Sequence, residues 1–487
     1  MRTGKAKSAA PACKDTTNSH TDMNTSTATL QNQTISGEQD TRAALRFVTC
    51  GSVDDGKSTL IGRLLVDSKT VLQDQLAGVQ RGGQTDLALL TDGLQAEREQ
   101  GITIDVAYRY FNTLERKFII ADAPGHEQYT RNMVTAASSS DAAVVLVDAT
   151  KLNWQAALPN LLPQTRRHSL LVNLLRVPSI VFAINKLDAV DDPALAFANI
   201  SAALSQFAID AGIPINAIVP ISALIGFNVV DQSPGWCSYN GRSLLQILEQ
   251  LSSTPADVQQ PFAFPVQWVE KPETNNNDTS QGRRVFWGRI ASGIAQPGGE
   301  ITIMPSGKTA TIAQVLSHAR QPKNVAANHS AGIILDREVD VSRGDWILQT
   351  PTLAASRAAL PPEGTLTPRG GPSSPDGNFP SPLPGTREIT ATVAWMDDEP
   401  LLAGRMYWAL HGHRWVKAKV KRIVSHININ TLESHEATQL DSNAIGVVEL
   451  ALLEPIAALP FKQSRRLGSL ILVDTASHKT SGAALVL

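Results

Sequence analysis

Cysteine is nearly absent from these 487 residues: Cys13, Cys50 and Cys237 are the only three. They lie far apart, form no CxxC pair and join no His/Cys cluster at zinc spacing, which excludes a disulfide framework and a zinc module. Free thiols in a reducing compartment, acting as buried filler, are expected. Net charge is lacking too, because 43 Lys+Arg against 45 Asp+Glu leave only −2. A polyanion binder usually carries a basic excess or stripe, so nucleic acid is not an expected partner. No apolar run is read as approaching the ~20 residues that cross a bilayer. The N-terminal MRTGKAKSAAPACKD lacks the apolar core of a secretory signal. Neither a membrane nor export is therefore expected, and a cytoplasmic location is. No short repeat is found.

What is present points to a soluble chain of several domains. At roughly 100–200 residues per domain the length suggests two to four. Residues 1–44 are rich in Ser, Thr, Asn, Gln and Asp and almost free of large apolar side chains. They cannot bury enough surface to offset their ordering entropy, and a disordered tail is expected. A transit peptide is the alternative, but Asp15, Asp22, Glu38 and Asp40 argue against it, since such peptides are poor in acids. Over 45–256 short apolar strands (RFVTC, KFIIAD, AAVVLVD, SIVFAIN, AIVPIS) alternate with helical stretches (57–65, 127–138, 193–212, 242–251), the pattern of a doubly wound, mostly parallel α/β sheet. Over 257–352 alternating runs and Gly-centred turns predict a small all-β barrel, and 387–487 a second one. Between them 353–386, dense in Pro and Gly, reads as a linker.

The strongest motif is Gly51-Ser52-Val53-Asp54-Asp55-Gly56-Lys57-Ser58. It matches GxxxxGK[ST] between a predicted strand and a predicted helix, the context a phosphate loop requires. The glycines let the backbone turn so that N–H groups and the helix N-terminus face phosphate oxygens. Lys57 supplies charge at the β/γ-phosphates, and the Ser58 hydroxyl can ligate Mg²⁺. Asp122-Ala123-Pro124-Gly125-His126 follows a strand. Asp122 would reach Mg²⁺, probably a water-bridged contact, and the Gly125 N–H would sense the γ-phosphate. Asn185-Lys186-Leu187-Asp188 ends another strand. The Asp188 carboxylate can accept both N–H donors of guanine, a pair adenine does not offer. A buried acceptor left unpaired costs ~1–3 kcal/mol, so the wrong base is rejected. Lys186 would pack along the base, and Ser222-Ala223-Leu224 would offer a backbone N–H to the base carbonyl. Thr103 fits a switch threonine that completes the Mg²⁺ shell. His126 is the candidate for orienting the attacking water, with Val53 and Ile102 as an apolar gate. GTP and Mg²⁺ are thus the expected ligands.

The order GSVDDGKS, GIT, DAPGH, NKLD, SAL, followed by two barrels, resembles the translational GTPases of the elongation factor Tu type. The block DLALLTDGLQAEREQGITIDVAYRYF (86–111), with HEQYTRNMVTAAS (126–138) and QTRRHS (164–169), is more narrowly similar to the large GTPase subunit of bacterial sulfate adenylyltransferase. That resemblance implies a small catalytic subunit as partner. It also implies ATP and sulfate as substrates of the complex, with formation of adenosine 5′-phosphosulfate and pyrophosphate driven by GTP hydrolysis. Three departures stand out. Ala123 replaces the Thr of the family's usual DTPG, which backbone phosphate contacts should tolerate. The stretch 151–163 is longer by about eight residues than the family's loop. The tail and linker are also expanded. With no second phosphate loop before Leu487, the adenylylsulfate kinase activity carried by some relatives is expected to be absent. A translation factor carrying aminoacyl-tRNA, or a GTP switch without adenylyl transfer, is the alternative; the 86–111 block and the balanced charge argue against the first.

Overall fold

The computed structural model describes residues 44–68, 80–81, 84–85, 87, 105–126, 129–253, 257–271, 283–317, 324–350, 385–428 and 431–487. Ile102, Thr103, the 1–44 tail short of its last residue and the 353–386 linker short of its last two lie outside the described residues. Six strands make one sheet: β1 (Leu45–Cys50), β2 (Ala107–Asn112), β3 (Lys117–Asp122), β4 (Ala142–Asp148), β5 (Ser179–Asn185) and β6 (Ala217–Pro220), in the order β2-β3-β1-β4-β5-β6. All pairings are parallel except β2 with β3. Every residue of β4 and β5 is buried, as expected of parallel strands covered on both faces.

Alternation along β4 divides the core. Val144 and Leu146 pack with Leu60, Ile61 and Leu64 of α1 (Lys57–Asp67). Val145 and Val147 pack with α2 (Thr130–Ser138), α3 (Pro163–Leu174) and α4 (Pro193–Ala211). The helix α5 (Leu244–Gln250) joins α1 on its side through Leu244 and Leu248. Local chemistry sets the bounds. The Asp192 side chain accepts the Leu195 N–H at 3.0 Å and opens α4, and Gly212 in the left-handed region closes it. A capping box between Ser243 and Gln246 starts α5, so the helix is shorter than the 242–251 predicted. One expectation needs correction: the 19 residues of α4 are long and apolar enough, by length and composition, to cross a membrane. In the fold they lay Ala196, Ile200, Leu204 and Phe207 into the core beside β5.

The rest of the chain is antiparallel. Between Ala263 and Gln349 seven strands form a sheet, and an Ala263–Ser292 bridge ties its last strand back to the chain leaving Val285–Arg289. Between Thr386 and Val486 six strands close into a barrel through pairing of Met406–His411 with Arg414–Ile427. The strands Ser330–Leu335, Met406–His411, Ser469–Asp474 and Thr480–Val486 were not anticipated from the sequence. Arg414 joins the two β units, with Nη1 2.7 Å from Asp345 Oδ1. Met396, Phe461 and Leu485 of the second β unit pack against α2 and α3 in one core with the α/β layer.

Phe111 of β2 and Phe118 of β3 stack at 4.6 Å between ring centres. Phe118→Ala should cost about 3–5 kcal/mol, read as a lowered urea midpoint.

Candidate nucleotide-binding site

The chain order reverses at β1, which has β3 on one side and β4 on the other. Ligands of open α/β sheets bind at such a switch point, beyond the carboxyl ends of the strands. The loop 51–56 leaves β1 there and α1 begins at Lys57. Gly56 is left-handed at φ 91°, and a Cβ on it would stand 2.4 Å from Asn185 Nδ2, so no larger residue fits. Asp55 is buried and folds back, its Oδ2 accepting the Ser52 N–H at 2.5 Å. Lys57 Nζ donates to Gly51 O (3.3 Å) and Ser52 O (2.7 Å). Burial lowers its pKa, opposed by the carboxylates of Asp55 and Asp122. A buried ammonium cradled by loop carbonyls suits a strongly anionic ligand.

At the tip of β3, Asp122 is buried and its Oδ1 accepts the Thr49 hydroxyl at 3.4 Å. Ala123 and Pro124 are buried behind the loop. Gly125 presses onto it: a Cβ there would lie 2.5 Å from Lys57 Nζ and 3.0 Å from Gly51 O. His126 follows, its Nε2 buried without a hydrogen-bond partner and its ring edge-on to Tyr129 at 6.4 Å. The half-buried Ser58 hydroxyl and the Asp122 carboxylate are hard oxygen donors. They fit a Mg²⁺ ion that takes its other ligands from phosphate and water. Among the described residues no cluster of three or more His, Cys, Asp or Glu could hold a metal on its own.

The base end is laced by Asn185. Its Nδ2 donates to Asp55 O (2.8 Å) and its Oδ1 accepts the Ala223 N–H (2.9 Å). Lys186 Nζ lies 2.7 Å from Asp148 Oδ2 and donates to Asp54 O at 2.6 Å, which leaves its stem for a base plane. Leu187 is buried, whereas Asp188 is exposed and makes no hydrogen bond or ion pair. Ser222 Oγ accepts the Ile225 N–H at 3.1 Å, and Arg63 donates to Ala223 O (3.2 Å) and Leu224 O. Val53 is half-buried, its carbonyl accepting from Lys151 Nζ. The predicted stretches 51–58, 122–126, 185–188 and 222–224 thus lie around one crevice, and Ile102 and Thr103 fall outside the described residues. Cys50 and Cys237 are buried thiols, each pushed up to about 12 mainly by burial, and thus inert filler.

Four residues here were not singled out from sequence. Asp148, at the tip of β4, pairs with Lys186, and Lys151 reaches Asp55 Oδ1 at 3.0 Å. Gln164 Nε2 donates to Gly125 O at 3.1 Å, and His168 Nδ1 accepts the Gly51 N–H at 3.1 Å. Burial holds the His168 pKa down to about 3, with Lys57 adding to the effect. The imidazole is therefore neutral, with Nδ1 the acceptor and the proton on Nε2. A readable signal existed in the spacing alone: Gln164 and His168 stand four apart, which puts two side chains on one face of a helix, but no helix is read from the sequence over Pro163–Leu174.

The phosphate loop, the strand-tip carboxylates and the β units that follow define a GTP-binding protein of the elongation factor Tu class. Residues 42–254 match the family described as the Elongation factor Tu GTP binding domain, and 388–487 match the GTP-eEF1A C-terminal domain-like family. A sulfate adenylyltransferase subunit 1 from Laribacter hongkongensis is 40% identical over 92% of this chain and 86% of its own length. One from Alteromonas mediterranea is 41% identical over 91% and 86%. The bifunctional enzyme CysN/CysC of Xylella fastidiosa is 42% identical over 92% of this chain and 66% of its own. The chain belongs to the sulfate adenylyltransferase subunit 1 family.

His168 makes a pH prediction. Its folded pKa lies below the ordinary value near 6.5, so its stabilising share is complete above that value and is lost as pH falls toward 3. His168→Asn should flatten the fall in urea midpoint between pH 6.5 and 4 relative to the parent. Parallel curves would show that His168 does not titrate with unfolding.

Proposed function

We propose that this chain is the GTP-hydrolysing large subunit of sulfate adenylyltransferase. It works with a small catalytic subunit to form adenosine 5′-phosphosulfate and pyrophosphate from ATP and sulfate, in the cytoplasm. The observation that carries the reading is the 40% identity to subunit 1 proteins over nearly their whole length, joined to a crevice built for a nucleoside triphosphate.

The chain's own groups have distinct tasks. The loop amides and Lys57 hold the β/γ-phosphates. Asp188 reads the guanine N–H pair. Because Asn185 already occupies the Ala223 amide, the N–H of Leu224 is the one directed to the base carbonyl. Ser58 and Asp122, with Thr103 expected from the sequence, would hold a Mg²⁺ ion, which would supply charge neutralisation at the phosphates. Gly125 packs so close to Lys57 that a Cβ on it would meet Nζ, which supports its N–H as the sensor of a terminal phosphate and so as the group that distinguishes GTP from GDP. His126, with an unpartnered nitrogen beside Gly125, orients the attacking water. The phosphate–sulfate anhydride is strongly uphill, so GTP hydrolysis must be linked to it through two states that differ in partner contacts.

Lys57→Ala should weaken GTP binding by ~100-fold or more, since a charge-assisted contact is removed from a buried site; calorimetry reads this directly. Asp188→Asn should move preference from guanine to xanthine nucleotides by ~10–100-fold, measured by competition. His126→Ala should slow single-turnover hydrolysis ~100-fold or more at unchanged GTP affinity. For the assembly, GTP turnover should rise when the small subunit, ATP and sulfate are all present. Turnover indifferent to all three would refute the role in sulfate activation while leaving GTP binding standing.

A further inference from the structure

At the end of β1 opposite the phosphate loop, the α/β layer and the two β units meet around a cavity of ≈ 520 Å³. Five arginines line it: Arg46 at the start of β1, Arg131 on α2, Arg289 from the first β unit, and Arg465 and Arg466 from the second. Asp141 and Asp257 are the acids there. None of the five guanidiniums has a carboxylate within ion-pair distance. Arg131 reaches Met396 O at 3.4 Å, Arg289 donates to Asn328 O at 2.9 Å, and Arg465 to Arg176 O. Arg466, and the Arg46 guanidinium, make no hydrogen bond at all among the described residues. Asp141 Oδ2 accepts the backbone N–H of Arg46, at 3.0 Å. The cations therefore outnumber the acids by three: three of them donate to carbonyls, two donate to nothing among the described residues, and none is ion-paired there. Burial, with Arg176 beside Arg465 and Arg289 beside Arg466, weakens the hold of both guanidiniums on their protons.

Crowded like charges in a half-desolvated space are costly unless an anion joins them. Guanidinium forks match tetrahedral oxyanions in a bidentate way. The volume falls in the range of small-molecule sites. Four strand residues separate Arg46 from the loop that begins at Gly51, a rise of about 16 Å at ~3.3 Å per residue, so the GTP phosphates cannot serve both. We infer that this junction is a second anion site, taking one phosphate- or sulfate-bearing ligand of mononucleotide size or smaller and gripped by all three units together.

The test uses the full chain with Mg·GDP bound, saturation being measured first in the same calorimeter cell. Failure of the GTP reading would thereby be visible separately. Sulfate, phosphate, pyrophosphate and AMP are then titrated one at a time against NaCl of equal ionic strength. At least one should bind saturably, one per chain, and raise the melting midpoint. The tightest of the four identifies the source: inorganic oxyanion, polyphosphate or nucleotide. Arg466→Ala should weaken that ligand ~10-fold or more at unchanged GDP affinity. Arg466→Lys should fall between, keeping the charge without the fork. No saturable heat from any of the four would overturn the site, as would equal affinity in Arg466→Ala.

Discussion

An ammonium group cannot rest inside a protein without partners, and Lys57 is buried at the tip of the central strand. Its needs organise the crevice. Two loop carbonyls must turn inward to receive it, which forces the backbone between Gly51 and Gly56 into conformations that glycine tolerates. Gly125 must lack a side chain because it packs on the same nitrogen. Asp55 and Asp122 lie close enough to oppose the effect of burial on Lys57, and both are themselves buried. Each group in this set is unfavourable alone, and the arrangement becomes stable only when all are present.

The loops around that charge are held by protein contacts rather than left for a ligand to order. Asn185 joins the phosphate loop to the 222–224 loop, Lys151 and Lys186 tether Val53, Asp54 and Asp55, and Arg63 holds the 222–224 loop from α1. A site fixed in advance loses little entropy on binding and keeps its dipoles aimed at the phosphates. Two predicted recognition groups stay uncommitted among the described residues: the Asp188 carboxylate and the Nε2 of His126. The pattern separates scaffold from recognition more sharply than the motifs do.

What could be read from the sequence followed the length scale of the signal. GSVDDGKS, DAPGH and NKLD are local: their chemistry is complete within eight residues, and the strand before each is a continuous apolar run. Hence the crevice and the sheet were legible. Ser330–Leu335 and Thr480–Val486 were not, because short strands in a closed antiparallel sheet owe their conformation to neighbours distant in sequence. The role of Asn185 shows the same limit. It entered only as part of the nucleotide-binding stretch Asn185–Asp188, whereas its amide is used up by Asp55 and Ala223, partners 130 and 38 positions away. His168 escaped notice because a buried histidine acting as a backbone acceptor has no motif of its own.

The helix α3 links the nucleotide crevice to the second β unit by hydrogen bonds at both ends. Near its first turn Gln164 holds the carbonyl of Gly125, and one turn later His168 holds the amide of Gly51. Just past its end Arg176 donates to Phe461 O (3.0 Å) and Lys462 O (2.6 Å), and accepts from Arg465. Twelve helical residues span about 18 Å and transmit displacement as a rigid body. On the proposed function, a terminal phosphate that moved Gly125 would either break its bond to Gln164 or move the helix. His168 anchors the helix to the half of the loop that holds the phosphates and so resists the second course near the nucleotide. On the proposed function, a helix that pivoted on that anchor would carry the change to Arg176, which bonds to the residues beside the arginine-lined junction.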